Sequence, residues 1–268
     1  MSDLRSLLEV ASAAVDQATS LVGRMAVGEV RAKGDRDMVS EIDLAVEEKV
    51  REFLSRETPE LGFLGEEEGA TVPVKELTWA LDPVDGTANL VNGIPLCAVS
   101  LGLVSGNTSV LGVIDLPFLS KRFTAAQGLG AYADSLRLVA SRTNDLSQAV
   151  IAIGDYAIGP SAQQRNKLRF AITRLLAERA LRVRMVGSAA IDLAWVAAGK
   201  LDASIALSNH PWDMAAGTAI AREAGALVLD AYGEEHGLLS SATVAIGPEL
   251  RQPVLELLSD ARQLVQVR

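Results

Sequence analysis

Asp82 and Asp85 stand three residues apart in the stretch Trp79-Ala-Leu-Asp-Pro-Val-Asp-Gly-Thr87. That spacing lets both carboxylates point into one cavity, with the carbonyl of Val84 between them as a third oxygen. Pro83 keeps Asp82 out of the helical region and removes a backbone donor just after it. Gly86 lets the backbone approach a ligand closely. Thr87 can cap a following helix or hold a water. Hard oxygen donors beside free backbone N–H groups suit Mg²⁺ together with a phosphate. A strand end with an Asx turn would explain the same residues without chemistry. Two carboxylates are also too few for a two-metal phosphoryl-transfer site, in which several must bridge ions about 3.5–4 Å apart. Other acids must come from elsewhere in the chain.

Candidates are present. Glu66, Glu67 and Glu68 follow Gly65; they form either a solvated acidic turn or a turn with one Glu facing inward to complete a metal shell. Trp212-Asp213-Met-Ala-Ala-Gly217 opens a helix that ends in Glu223-Ala-Gly225. Capping accounts for part of Asp213 and Gly225. The small residues from Ala215 to Ala224 predict close packing, and an Asp at a buried helix start is paired or metal-bound. Gly187-Ser188-Ala-Ala190 opens another helix, whose free N–H groups favour an anion as readily as a plain Ser cap. Asp37 and Asp43 flank the start of the second helix, where capping is the favoured role and an outer, weaker metal the other. His210 and His236 lack metal-ligand spacing, and one cysteine (Cys97) excludes both a zinc set and an internal disulfide. Serine-hydrolase, cysteine-hydrolase and Gly-rich nucleotide-loop motifs are missing.

The elements that must carry these residues follow from periodicity. Leu4 to Val22 has helical spacing, and a second helix starts at Ser40 after a polar loop at 33–37. Trp79 to Leu81 reads as a buried strand. Ala98 to Val104 and Leu111 to Leu116 read as a hairpin about Ser105-Gly-Asn107, with another over Phe123 to Tyr132. Beyond about Leu138 short strands and helices alternate: strands at 150–153, 203–207, 227–229 and 244–246, and helices at 164–176, 188–198, 213–224 and 253–265. In the 164–176 helix, Leu168, Ala171, Ile172 and Leu175 are expected to face inward. The pattern predicts an α+β subdomain over 1–138 carrying most acidic candidates, and an α/β subdomain over 139–268 carrying Asp213. Hydrophobic content is 49% with 4% aromatic, so the core is aliphatic. The net charge of −9 argues against nucleic-acid and anionic-membrane partners. A single cysteine, no basic-then-apolar leader and no unbroken membrane-length run point to a cytoplasmic protein.

Together these motifs resemble the inositol monophosphatase family over nearly the whole chain. Trp-Ala-Leu-Asp-Pro-Val-Asp-Gly-Thr-Ala-Asn is similar to its first signature, and Trp-Asp-Met-Ala-Ala-Gly with Glu-Ala-Gly to its second. Gly-Glu-Glu, Asp37-Met-Val-Ser-Glu-Ile-Asp43 and Gly-Ser-Ala-Ala-Ile-Asp-Leu fall in the expected order. The resemblance implies a layered α/β/α/β/α sandwich, a homodimer, and Mg²⁺-dependent, lithium-sensitive hydrolysis of a small phosphorylated metabolite such as myo-inositol phosphate, with two or three ions per site. It implies Glu66, Asp82, Asp85, Asp213 and the Val84 carbonyl as metal ligands, with Asp43 near an outer ion. Thr87 with Glu66 would orient the attacking water. Asp85, Gly86, Thr87, Gly187, Ser188 and Asp213 would contact phosphate or substrate.

The resemblance breaks at one point. Family members carry a Glu that grips a substrate hydroxyl in the strand before the Trp-Asp signature. Here that stretch is Ala203-Ser-Ile-Ala-Leu-Ser-Asn-His-Pro211, with Ala206 at the matching place. Ser208, Asn209 and His210 are candidate substitutes, and the segment Gly154–Gly159 is a further candidate pocket wall. Related substrates are histidinol phosphate, fructose 1,6-bisphosphate and 3′-phosphoadenosine nucleotides. A bisphosphate would call for extra basic side chains, for which Arg182 and Arg184 stand nearby in sequence, although on a strand they face solvent as readily. The remaining alternative is a metal- or phosphate-binding relative without turnover.

Overall fold

A computed structural model describes residues 3–24, 30–34, 37–69, 75–208 and 210–266, with residues 30–34 and 37–40 described by backbone alone. Asn209, Asp35 and Arg36 lie outside the described residues, as do the side chains of Asp37 and Ser40. In chain order the first half contains α1 (Leu4–Val22), β1 (Val30–Gly34), β2 (Asp37–Ser40), α2 (Glu41–Glu57), β3 (Gly62–Gly65), β4 (Leu77–Asp85) and α3 (Thr87–Val91). Strands β5 (Ala98–Ser105), β6 (Thr108–Leu116), β7 (Lys121–Ala126), β8 (Gly130–Ala133) and β9 (Leu136–Arg137) follow. The second half contains β10 (Val150–Ile153), α4 (Ala162–Arg179), β11 (Arg182–Arg184), α5 (Ala189–Ala197), β12 (Ala203–Ala206), α6 (Pro211–Glu223), β13 (Leu227–Leu229), β14 (Thr243–Ile246) and α7 (Arg251–Gln266).

The strands make a seven-stranded sheet in the order β3-β4-β5-β6-β7-β8-β9, a five-stranded sheet in the order β11-β10-β12-β14-β13, and the β1–β2 ribbon. In the larger sheet only β3 and β4 run parallel. Strand alternation assigns each face to a different core. Val99, Leu101 and Leu103 pack with Leu7, Val15, Val46 and Val50 of α1 and α2. The opposite face packs on α5 and α6, which share a core with Ala152 and Ala245 of the smaller sheet. Ile151, Ile153, Ile205 and Val244 point the other way, onto α4 and α7. The result is the expected α/β/α/β/α sandwich.

Small residues make the central layer thin. Gly102 and Gly112 are partners across β5 and β6, and α6 lies on them. A Cβ on Gly112 would overlap the Ala216 carbonyl oxygen, and one on Gly102 would lie 2.6 Å from the Ala216 nitrogen. The run of small residues in α6 is thus matched by glycines in the sheet, and Met214 to Ala221 are all buried. This close approach carries the start of α6 to the end of β4.

Three local features differ from expectation. Lys33 and Gly34 belong to β1, paired antiparallel with β2, and not to a polar loop. β4 runs past the apolar Trp79–Leu81 to Asp85, because its pairing with β5 skips between Asp82 and Asp85; the irregularity tolerates Pro83. In α4, Ile172 and Leu175 are buried and Leu168 and Ala171 pack half-buried against the same core, as expected, but the polar Asn166 and Arg169 are buried as well.

Candidate active site

The pocket forms where β4 leaves the sheet. Its last residues are followed by Gly86, whose φ of +92° is left-handed. A Cβ there would lie 2.9 Å from the Leu96 carbonyl oxygen, so the turn requires glycine on both counts. α3 starts at Thr87, and Asn89 fastens the turn to the second half, donating to the Leu96 and Val186 carbonyls at 2.7 and 2.9 Å. β4 itself is anchored by Trp79, whose Nε1 donates to Thr58 Oγ1 at 3.0 Å.

Glu66, Asp82, Val84, Asp85, Gly86, Thr87, Gly187, Ser188 and Asp213 all line one cavity of about 280 Å³. Glu47 organises the acidic loop. Its buried carboxylate accepts the Glu67 and Glu68 N–H groups at 2.8 and 3.0 Å and pairs with Arg51, which also pairs with Glu68. Glu68 is thereby turned outward, while Glu66 lines the pocket.

Asp85 does more than face the pocket. Its Oδ2 accepts Ser188 Oγ–H at 2.7 Å and the Ala190 N–H at 2.5 Å. Ser188 caps α5 by accepting the Ile191 N–H at 3.2 Å. The start of α5 was read with equal weight as a plain Ser cap, which Ser188 is, and as open N–H groups for an anion. In the structure a carboxylate takes part of that role, because a helix N-terminus attracts the nearest negative group. Asp213 is also placed differently from a simple N-cap. It lies in the first turn of α6, and its Oδ2 accepts the His210 N–H at 2.9 Å.

Asp43 does not line the cavity wall. It is buried behind Thr87, whose hydroxyl lies 3.0 Å from Asp43 Oδ1 and 3.0 Å from the Val84 carbonyl. The resemblance implied that Thr87 and Glu66 together orient a water; both line the cavity, and the Thr87 hydroxyl bonds seen here go to Asp43 and Val84. A second acid, Asp192, was missed as a separate site residue. It sits in the first turn of α5, lines the same cavity, and its Oδ1 is buried without a hydrogen bond. Helical spacing from Ser188 was the available signal, since residue i+4 lies on the same face.

The electrostatics are those of crowded anions. Burial first, then Glu66, Asp85 and Asp213, raise the pKa of Asp82 well above its ordinary value. Burial also raises Asp85 to about 6, against the lowering effect of Ser188 and the α5 backbone. Asp192 is raised to about 8 by burial, Asp85 and Asp155. Buried Cys97 nearby is pushed up to about 12, so its thiol is no nucleophile. Among the described residues no three acidic, histidine or cysteine side chains converge as a ready-made metal cage. The donor set nevertheless fits a hard divalent cation: Asp82, Asp85, Glu66 and Asp213 are oxygen donors whose mutual repulsion a cation would relieve.

The remaining expected residues divide clearly. Ala206, Ser208 and Gly154 line the cavity. Arg182 and Arg184 are exposed on the edge strand β11 and do not line it. Glu223 of the second signature is structural: its carboxylate accepts the Gly128 and Gly130 N–H groups at 2.9 and 2.8 Å, closing the β7–β8 turn. Among the described residues no helix is long and apolar enough to cross a membrane.

Comparison with known proteins gives a consistent result. The profile described as "Inositol monophosphatase family" matches residues 3–265. A relative from Mycobacterium tuberculosis named "Probable inositol 1-monophosphatase ImpA" is 35% identical over 94% of this chain and 93% of its own length. "Nus factor SuhB" of Pasteurella multocida is 37% identical over 83% of each. The crystal structure of the extragenic suppressor protein suhB from Bartonella henselae superimposes with a TM-score of 0.87 at 33% identity, covering 94% of this chain and 98% of that one. The Nus-factor name leaves the exclusion of nucleic-acid partners, drawn from net charge, without support.

Proposed function

Because the chain belongs to the inositol monophosphatase family, we propose that it is a Mg²⁺-dependent phosphomonoesterase acting on a phosphorylated polyol or sugar. The observation that carries this reading is the buried acidic cluster, in which Asp82, Asp85 and Asp192 are all pushed above the usual carboxylate range. Such a cluster is costly to a fold unless a cation offsets it. Glu66, Asp82, Asp85, Asp213 and the Val84 carbonyl would hold Mg²⁺. When bound, the metal would lower the pKa of a water and stabilise the developing charge on phosphate and leaving oxygen.

The chain's own residues supply positioning. Thr87 donates to Asp43, which leaves an Oγ lone pair free to accept a hydrogen bond from the attacking water. Asp43, buried behind it, fixes that direction. The start of α5 and the backbone at Gly86 border the space for phosphate oxygens. As the water oxygen bonds phosphorus, its proton passes to Thr87 Oγ while Thr87 passes its own to Asp43 Oδ1; the ester P–O bond breaks and the leaving alkoxide takes up a proton from solvent water. No covalent nucleophile is required. Rapid-quench experiments with a radiolabelled ester test this step: free phosphate without protein-bound label is expected, and a trapped phosphoenzyme would overturn direct water attack.

A homodimer, lithium inhibition and a cytoplasmic location go with this reading. The SuhB names favour a second one, in which the chain serves a regulatory complex without turnover. Folded, Mg²⁺-loaded protein inactive on a broad ester panel would support that reading instead.

A further inference from the structure

A second cavity adjoins the first. It has a volume of about 260 Å³ and shares Gly154, Asp155, Ala206 and Ser208 with the acidic one. Its charge is opposite: Arg165 and Arg169 of α4 line it. Arg169 is 4% exposed. Its guanidinium donates to the Arg165 carbonyl at 3.2 Å and to Ser208 Oγ at 2.8 Å. Those bonds use two of the five N–H groups an arginine carries. Among the described residues no carboxylate lies within ion-pair distance of Arg165 or Arg169. Asp155 lines both cavities but is exposed and forms no ion pair with either.

A buried guanidinium without a counter-ion is unusual. Arginine does not shed its proton, so it cannot escape the cost of burial as a lysine or histidine would. Fastening α4 to Ser208 needs no charge, since both acceptors are neutral. Asn166 already ties α4 to the loop, bonding both backbone groups of Ala157 at 2.7 and 2.8 Å. Ala206, at the junction of the two cavities, presents only a methyl group, so nothing bulky separates the cationic cavity from the acidic one.

We infer that Arg169, with Arg165 at the rim, forms an oxyanion subsite beside the catalytic cavity, and that the substrate is a phosphomonoester bearing a second phosphate or carboxylate. The inference rests on the phosphatase reading above and narrows its substrate class. One anionic group would face the acidic cavity and its cations, and the other would meet Arg169 in the geometry that guanidinium offers to oxyanions.

The test compares kcat/KM with Mg²⁺ for fructose 1,6-bisphosphate, 2-phosphoglycerate and β-glycerophosphate. The first two carry a second phosphate and a carboxylate; the third carries neither. Wild type is expected to favour at least one bis-anionic ester, and which one identifies the second group. Arg169→Gln should lower the ratio of that ester to β-glycerophosphate about tenfold or more, and Arg169→Lys should restore part of it. A purely structural role would lower both substrates together and leave the ratio unchanged, which overturns the inference, as would a wild-type preference for β-glycerophosphate. Ala206→Glu, which leaves Arg169 in place but gives it a carboxylate neighbour, should lower the same ratio. If no ester is turned over, the phosphatase reading fails by itself. Calorimetric titration of fructose 1,6-bisphosphate into Mg²⁺-loaded protein then decides this one: about tenfold weaker binding by Arg169→Gln supports it, and equal binding overturns it.

Discussion

Replacing Asp192 by Asn should make the metal-free protein more stable, by an amount that depends on pH. Asp192 is 4% exposed and its Oδ1 has no hydrogen bond. Burial raises its pKa from 3.8 to about 8, with Asp85 and Asp155 adding to the shift. Between those two values the folded state holds a proton that the unfolded chain releases, so stability falls as pH rises through the window. From 3.8 to neutral pH the span is about three units. At about 1.4 kcal/mol per unit, wild type forfeits on the order of 4 kcal/mol at neutral pH and almost nothing near pH 4. Asn keeps the shape and removes the ionisation. Urea unfolding in EDTA, followed by far-UV circular dichroism at about pH 4, 6 and 8, reads the difference. The variant should be the more stable protein at neutral pH, with the gap closing towards pH 4. A gap indifferent to pH, or a variant less stable at neutral pH, would refute the reasoning. Mg²⁺ should narrow the gap by offsetting the charge of Asp85.

Gly112→Ala should destabilise by about 1–3 kcal/mol or more, because its Cβ overlaps the Ala216 carbonyl of α6; thermal unfolding measures it, and an unchanged Tm would contradict the packing described. Thr87→Ala and Asp43→Asn should each lower kcat about a hundredfold or more while leaving the circular dichroism spectrum intact. His236, bonded to Thr243 Oγ1 at 2.8 Å, is held neutral by burial and Arg222 with a pKa lowered to about 4. The unfolded chain binds that proton first, so stability is full above about pH 6.5 and lost as pH falls towards 4. His236→Gln should flatten this acid limb in urea titrations, a slope opposite in sign to that of Asp192.

Much of the site was legible because its chemistry is concentrated in short motifs. The Asp82–Thr87 run announces a rigid oxygen-rich turn through Pro83 and Gly86, whose positive φ the fold uses. The small residues of α6 announce a buried helix, and Gly102 and Gly112 show what it is buried against. Other features depend on contacts distant in sequence. Nothing local marks Glu47 as the residue that turns Glu68 outward and leaves Glu66 on the cavity wall; that depends on β3 lying beside α2. Thr87 meets Asp43 across 44 positions of chain. In α4 periodicity placed the apolar face on the core, but an apolar pattern cannot see that Ala157 and Ser208 draw Asn166 and Arg169 inward as well. The same blindness directed attention to Arg182 and Arg184, adjacent to the motif in sequence but exposed on an edge strand.

The most direct test of the central claim is phosphate release from a panel of small phosphomonoesters, with Mg²⁺ and with EDTA, by wild type and Asp85→Asn. The account predicts release in Mg²⁺, none in EDTA, and near-complete loss in a variant whose circular dichroism spectrum is unchanged. Release indifferent to both EDTA and Asp85→Asn, or no release from any ester by folded, Mg²⁺-loaded wild type, would contradict it.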